Sequence, residues 1–224
     1  MKPVDSLLKL LFPDKCPFCR RLLKDGEFRL CEKCLRELPY TGGRLKTNGA
    51  FFTVCVSPLF YTGDARKAVL RFKFSGKSAY AACFGEIIAD CVRQNLTGMY
   101  DLITWVPLAP QRLRKRGYSQ SKLLAEALAA ELSEKDSQIC VRLLEKCRNT
   151  PSQSATKNSA QRRANVSGAF AVTDRERLAG KRILLIDDVV TSGATLSECA
   201  RVLLTEGAEK VVCATLCKVR KIKS

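Results

Sequence analysis

The chain has 224 residues, 46% of them hydrophobic, enough for one large domain, or one domain and a small module, around a real core. Its 39 lysines and arginines outweigh 22 acids, and a net charge of +17 points to polyanionic partners, nucleic acid or a multiply phosphorylated molecule, with solubility conferred by surface lysines as the plain alternative. There is no histidine, which excludes Ser-His-Asp and Cys-His catalysis and mixed Cys/His metal sites, and leaves carboxylates, lysines, arginines, tyrosines and thiols.

Residues 1–12 carry Leu7, Leu8, Leu10 and Leu11 ahead of Pro13, a short amphipathic helix expected to pack on the body rather than on a membrane. No signal-sequence pattern opens the chain, and no apolar run reaches the roughly 18 residues of a spanning helix. A cytoplasmic protein with reduced thiols is therefore expected. Twelve cysteines are many for that setting unless some bind metal.

Cys16-Pro17-Phe18-Cys19 and Cys31-Glu32-Lys33-Cys34 form two C-x-x-C knuckles, separated by the hairpin turn signal Asp25-Gly26. Each knuckle supplies two thiolates, so the pair predicts a structural Cys₄ zinc site at Cys16, Cys19, Cys31 and Cys34. A redox C-x-x-C explains one pair but not two. So small a module has little core, and zinc supplies about 10–16 kcal/mol of folding energy to such units. Helix and ribbon are assigned to residues 1–40 and the main domain to 41–224.

Tyr40–Ala50 is polar and glycine-containing and reads as a linker. Val54–Phe60 resembles a strand, and Asp64 is the expected N-cap of a helix through Ala65, Ala68, Val69 and Phe72. Arg71-Phe72-Lys73-Phe74-Ser75-Gly76-Lys77 mixes cations with aromatics, as single-strand nucleic-acid channels do; a solvated basic face over two core phenylalanines is an equal reading. Ala79–Gln94 is a long helix with Phe84, Ile87, Ile88 and Cys91 on one stripe. Asp101–Val106 is a buried strand, and the following Pro107–Tyr118 reads as a cationic loop on the sheet's carboxyl rim. There Arg112, Arg114, Lys115 and Arg116 can clamp pyrophosphate, or simply form a solvated charge run. A helix from Ser121 to Leu132 follows, then a strand within Val141–Arg148. Residues 149–165 are polar and without apolar period: a lid or a surface loop. Val211–Leu216 is a last buried strand, and Lys218–Lys223 is a basic tail. The eight cysteines outside the knuckles are read as small core residues.

The most informative stretch is Lys181–Leu204. Ile183–Ile186 is a strand buried on both faces; Asp187 and Asp188 follow, then Thr191-Ser192-Gly193-Ala194-Thr195, then a helix on which Leu196, Ala200, Leu203 and Leu204 recur. A helix N-terminus favours a phosphate, and Gly193 lets backbone approach closely. The loop contains no lysine, so it is not the nucleotide-triphosphate loop. Two carboxylates beside a single-phosphate cradle suit the vicinal hydroxyls of a ribose 5-phosphate. A pair of acids that merely cap the helix lies too far upstream of Leu196.

LLIDDVVTSGAT resembles the phosphoribosyl-pyrophosphate signature of type I phosphoribosyltransferases. The resemblance implies an α/β fold with a mostly parallel sheet, preceded here by the zinc ribbon. It implies that Asp187 and Asp188 hold the ribose hydroxyls and are the catalytic acids. It implies that Thr191, Ser192, Gly193, Ala194 and Thr195 hold the 5-phosphate, that Arg112, Arg114, Lys115 and Arg116 belong to a pyrophosphate loop, and that Lys73 approaches substrate phosphates. Mg²⁺ accompanies the substrate. Transfer through an oxocarbenium-like state depends more on positioning and electrostatics than on a tuned base, so the missing histidine is tolerated. Arg116-Gly117-Tyr118-Ser119-Gln120, with the ribbon, narrows the resemblance to the competence protein F family, with Ser119 where asparagine is usual. Gln153, Arg162, Asn165 and Gly168-Ala169-Phe170 match that family's flexible segment, with Thr156 near an expected leucine. The family implies a role in DNA uptake beside a helicase-like partner, in which the fold serves single-stranded DNA or protein contacts with or without transfer.

Overall fold

The structure, a computed structural model, describes residues 14–42, 47–132, 140–148 and 166–220. The N-terminal leucine-rich segment, the segment 149–165 with Gln153, Thr156, Arg162 and Asn165, and the last four residues lie outside them. After the first knuckle come α1 (Glu32–Glu37), β1 (Cys55–Val56), β2 (Leu59–Phe60), α2 (Gly63–Phe74), α3 (Tyr80–Asn95), β3 (Leu102–Trp105), α4 (Pro110–Arg116) and α5 (Gln120–Leu132). Then follow β4 (Leu144–Lys146), β5 (Phe170–Val172), α6 (Arg175–Leu178), β6 (Arg182–Val190), α7 (Ala194–Thr205) and β7 (Lys210–Lys218).

The main sheet is wholly parallel, in the order β1-β7-β6-β3, with β2 also on β7. β6 and β7 are its centre, each nine residues long, with unbroken apolar runs at Ile183–Ile186 and Val211–Ala214, as strands covered on both faces require. Successive residues serve opposite layers. Ile183, Leu185, Val211 and Cys213 join the core under α7, whereas Leu184, Ile186, Val212 and Ala214 join the core under α3 and α5. β4 and β5 form a separate antiparallel pair, with Lys146 opposite Phe170.

Several boundaries differ from the sequence expectations for identifiable reasons. The expected strand over Val54–Phe60 is divided in two, because Pro58 has no N–H to give to a ladder. The N-cap of α2 is Thr62, and Asp64 lies in the first turn, where its carboxylate pairs with Lys67 at 3.0 Å. The cationic loop is a helix, α4: Pro110 sits in its first turn and Gly117 closes it at φ +79°, an arrangement that suits both residues. β6 runs on through both acids to Val190 instead of ending at Ile186. Of the cysteines read as core, Cys147 is exposed and Cys140 half-buried; the other six are buried.

The ribbon is docked on the main domain by an aromatic chain. Phe18, inside the first knuckle, meets Phe84 of α3 at 5.4 Å between ring centroids; Phe84 meets Phe72 at 5.4 Å, and Phe72 meets Tyr118 at 5.9 Å. Arg71 adds two hydrogen bonds to knuckle carbonyls, Pro17 O at 2.7 Å and Phe18 O at 2.6 Å. α3 and α5 approach closely at Gly85, where an added Cβ would lie 2.6 Å from Ala127 Cβ and 2.8 Å from its carbonyl carbon.

Candidate functional site

The site begins where β3 leaves the sheet. Trp105 is its last residue in register with β6, opposite Ile186, and Val106 gives its N–H to the Ile186 carbonyl at 2.9 Å. Pro107 then turns the chain away, while β7 keeps β6 company to Val190. One flank of β6 is thereby uncovered at the two acids, which line a cavity of about 320 Å³. This is the rim where parallel sheets bind ligands.

Asp187 accepts hydrogen bonds on one oxygen from Ser121 Oγ and from the Asp188 N–H, each at 2.8 Å. Burial, and then the neighbouring charge of Asp188, push its carboxyl up to about 7. Asp188 pairs with Lys73 Nζ at 2.8 Å, and both side chains are largely enclosed. Burial alone would lower the Lys73 pKa, but the Asp188 carboxylate outweighs it and holds the ammonium above its usual range.

The facing wall comes from α4 and the start of α5. Helical spacing by four residues turns Arg112 and Arg116 toward the cavity, while Arg114 and Lys115 are exposed and do not line it. Arg116 donates to Gln120 Oε1 at 2.8 Å and lies 4.8 Å over the ring of Phe74. Gln120 is 1% exposed, and its amide nitrogen has no hydrogen-bond partner among the described residues.

The third wall is the turn into α7. Gly193 is its N-cap at φ +77°, and a Cβ there would stand 3.6 Å from the Phe52 ring. Thr191 and Thr195 line the cavity with the acids; Ser192 and Ala194 border a second cavity beside Phe51 and Glu198. In that turn Ser192 Oγ accepts the Ala194 N–H at 3.4 Å. Of the residues singled out in the sequence, the structure thus gathers Asp187, Asp188, Lys73, Arg112, Arg116, Thr191 and Thr195 around one space.

Among the polar residues of the cavity, Lys146, Ser121 and Tyr61 carry no site role in the sequence analysis. Lys146 comes from β4, with its ammonium 5.2 Å from the Phe170 ring; burial first and Arg112 second lower its pKa. Ser121 and Tyr61 also face the cavity. Phe74 was read only as part of a basic aromatic segment, and the structure divides that segment. Arg71 holds the ribbon, Phe72 is core and Lys73 pairs with Asp188, so of the segment's cations and aromatics only Phe74 and Lys77 remain outward. No local pattern marks Lys146 or Tyr61, because only the tertiary fold brings their elements to this rim.

In the ribbon, the four knuckle sulfurs lie within 4.8 Å of one another, and Cys19 Sγ is 3.6 Å from Cys31 Sγ. Zn–S bonds of about 2.3 Å in a tetrahedron place sulfurs about 3.8 Å apart, so the donor set fits zinc and leaves no open position. The turn at Asp25-Gly26, with Gly26 at φ +84°, folds one knuckle onto the other.

Comparison with known proteins agrees with both halves. The double zinc ribbon family matches residues 7–45, and the phosphoribosyl transferase domain family matches residues 119–223. DNA utilization protein YhgH of Salmonella typhimurium is 30% identical over 231 residues, covering 93% of this chain and 99% of that protein. Competence protein F of Haemophilus influenzae is 26% identical, covering 88% of this chain and 86% of that protein, and competence protein ComFC of Bacillus subtilis is 28% identical, covering 90% and 76%. The chain belongs to the competence protein F family. In this competence-family chain, a ribbon suited to structural zinc is thus joined to a phosphoribosyltransferase-type domain. No helix among the described residues is long and apolar enough to cross a membrane.

Proposed function

We propose that the cavity binds phosphoribosyl pyrophosphate with Mg²⁺, and that it supports transfer of the phosphoribosyl group to a nitrogen nucleophile. The observation that carries this reading is the convergence of two carboxylates, two threonines at a helix N-terminus and two arginines on one space of about 320 Å³. Asp187 and Asp188 would accept hydrogen bonds from the ribose hydroxyls, and the turn 191–195 would receive the 5-phosphate through hydroxyl and amide donors. Arg112 and Arg116 would meet the pyrophosphate by charge-assisted bonds. Mg²⁺ suits the all-oxygen donor set of acids and phosphates, and when bound it neutralises charge on the leaving group. Lys73 has a second role here: its pairing with Asp188 keeps a cation at the sugar's edge, where positive charge can stabilise the departing phosphates.

Calorimetric titration with phosphoribosyl pyrophosphate and Mg²⁺ tests the reading. Saturable binding by the wild type, lost on Asp187→Asn with Asp188→Asn, is the expected result. Unchanged binding by that double variant would remove the acids from the site.

A second reading is favoured by the net charge of +17 and by the printed names of the relatives, DNA utilization and competence proteins. On this reading the chain holds single-stranded DNA, beside a helicase-like competence partner, with or without turnover. The two functions are compatible, since the phosphoribosyl cavity occupies only one rim of the molecule.

A further inference from the structure

The ribbon and α3 flank a further groove, of about 550 Å³, which shares no lining residue with the cavity at the acids. Its α3 side is a row: Cys83, Glu86, Ile87, Asp90, Cys91 and Gln94 recur at steps of three and four, and so share one helix face. From Cys83 to Gln94 that row runs about 16 Å, or three turns. Its ribbon side is apolar and bare. Phe28 is 76% exposed and Leu35 59%, and Tyr40 is exposed beside them. By contrast, Phe74 is the only such exposed apolar residue lining the cavity at the acids, and Phe51 the only one lining the cavity beside Glu198. Exposed apolar side chains gathered at a groove mark an interaction surface.

The charges of this groove run against those of the chain. The net charge is +17, yet no lysine or arginine is among the described residues that line it, and Glu86 and Asp90 are. Glu86 meets Arg29 at 3.3 Å and Asp90 meets Arg93 at 3.0 Å, and both carboxylates remain open to solvent. Each keeps lone pairs for another donor. These two acids decide among occupants. A nucleic acid or an anionic bilayer would bring phosphate against them. A second copy docked by the same face would bring Glu86 and Asp90 against their own counterparts. A cationic protein segment meets neither objection, and a groove about three turns long is what an amphipathic helix fills with apolar anchors three and four residues apart. We propose that this groove receives an amphipathic helix of a protein partner, apolar along one face and carrying two lysines or arginines one turn apart that meet Glu86 and Asp90. Neither reading above assigns this face a role.

The test uses the zinc-loaded full chain and a labelled synthetic helix of about four turns, with leucines three and four residues apart on one face and two lysines one turn apart on its flank. A control peptide carries glutamates in place of those lysines. By fluorescence anisotropy, the wild type is expected to bind the lysine peptide saturably and the glutamate peptide at least about tenfold more weakly. Leu35→Ser should weaken the lysine peptide about tenfold. Asp90→Lys should reduce the preference for lysine or reverse it. Zinc content and melting temperature show that each variant is folded. Equal affinity for the two peptides, no affinity for either, or binding that Leu35→Ser leaves intact would overturn the proposal. So would binding that appears only when residues 2–12 are deleted, which would make the chain's own leucine-rich start the occupant. Self-association that Leu35→Ser abolishes would overturn it in favour of a second copy.

Discussion

Asp187 is held in a contradictory setting, and its chemistry follows. It lies beside another acid and within protein, both of which resist its charge, yet Ser121 and the Asp188 amide donate to it. A carboxyl lifted to about 7 retains a proton that the unfolded chain, titrating near 4, has already lost. Between those values the folded state binds the extra proton, so this group's contribution to stability is full below about pH 4 and is lost as pH rises through about 7. Thermal melts from pH 5 to 8 should therefore show a decline that Asp187→Asn flattens. Ser121→Ala removes a donor that favours the carboxylate, so it should move the midpoint of that decline to higher pH. A midpoint unmoved by the serine change would show that the hydroxyl does not bear on Asp187. The acids were legible as residues, since an adjacent pair before a small-residue turn admits few readings. Their protonation was not, because it depends on Ser121, which is 66 residues away in sequence.

At the scale of elements, what was legible followed local pattern, and what was missed followed neighbours. β6, β7 and α3 declared themselves by apolar runs and periodicity. α4 did not, because six of its seven residues are polar or proline and none is buried, so no apolar stripe betrays it; only Pro110 and Gly117 mark its ends. The miss matters to the site, since a loop would present all four cations alike whereas a helix sorts Arg112 and Arg116 from Arg114 and Lys115. The prediction that follows is selective. Arg112→Ala or Arg116→Ala should weaken binding of phosphoribosyl pyrophosphate at least tenfold, and Arg114→Ala or Lys115→Ala less than threefold, by titration at one salt concentration. A second element-scale expectation concerns α3 and α5. A methyl at Gly85 has no room against Ala127, so Gly85→Ala should cost about 1–3 kcal/mol in urea unfolding. It should also loosen ligand binding, since α5 carries Ser121 and Gln120.

For the molecule as a whole, the ribbon is part of the body rather than an appendage. Its buried residues Cys16, Phe18, Cys31, Cys34 and Leu38 belong to the same core cluster as α3, α5 and one face of the sheet. Chelation of the metal should therefore do more than release a small module. Removal of zinc is expected to lower the melting temperature of the main domain and to weaken phosphoribosyl pyrophosphate binding in parallel. A main-domain transition that stays put after chelation would show the two to be independent. The charge of +17 makes its own prediction at this scale: affinity for a single-stranded oligonucleotide should fall steeply between about 50 and 200 mM salt. Salt-insensitive or absent binding would reject the nucleic-acid reading. The bulk charge was plain in the composition, but where it acts was not, because Arg71 and Lys73 are spent on internal partners.

The end of α2 has a consequence for how this chain tolerates change in length. Four successive residues there answer to four different clients: Arg71 to the knuckle, Phe72 to the core, Lys73 to Asp188 and Phe74 to the cavity mouth. A single substitution disturbs one of these. One inserted or deleted residue ahead of Arg71 would swing all four by about 100° around the helix axis and misdirect every one at once. The spacing itself is the constrained quantity, and length variants should be accommodated in the surface connections on either side but not within this turn.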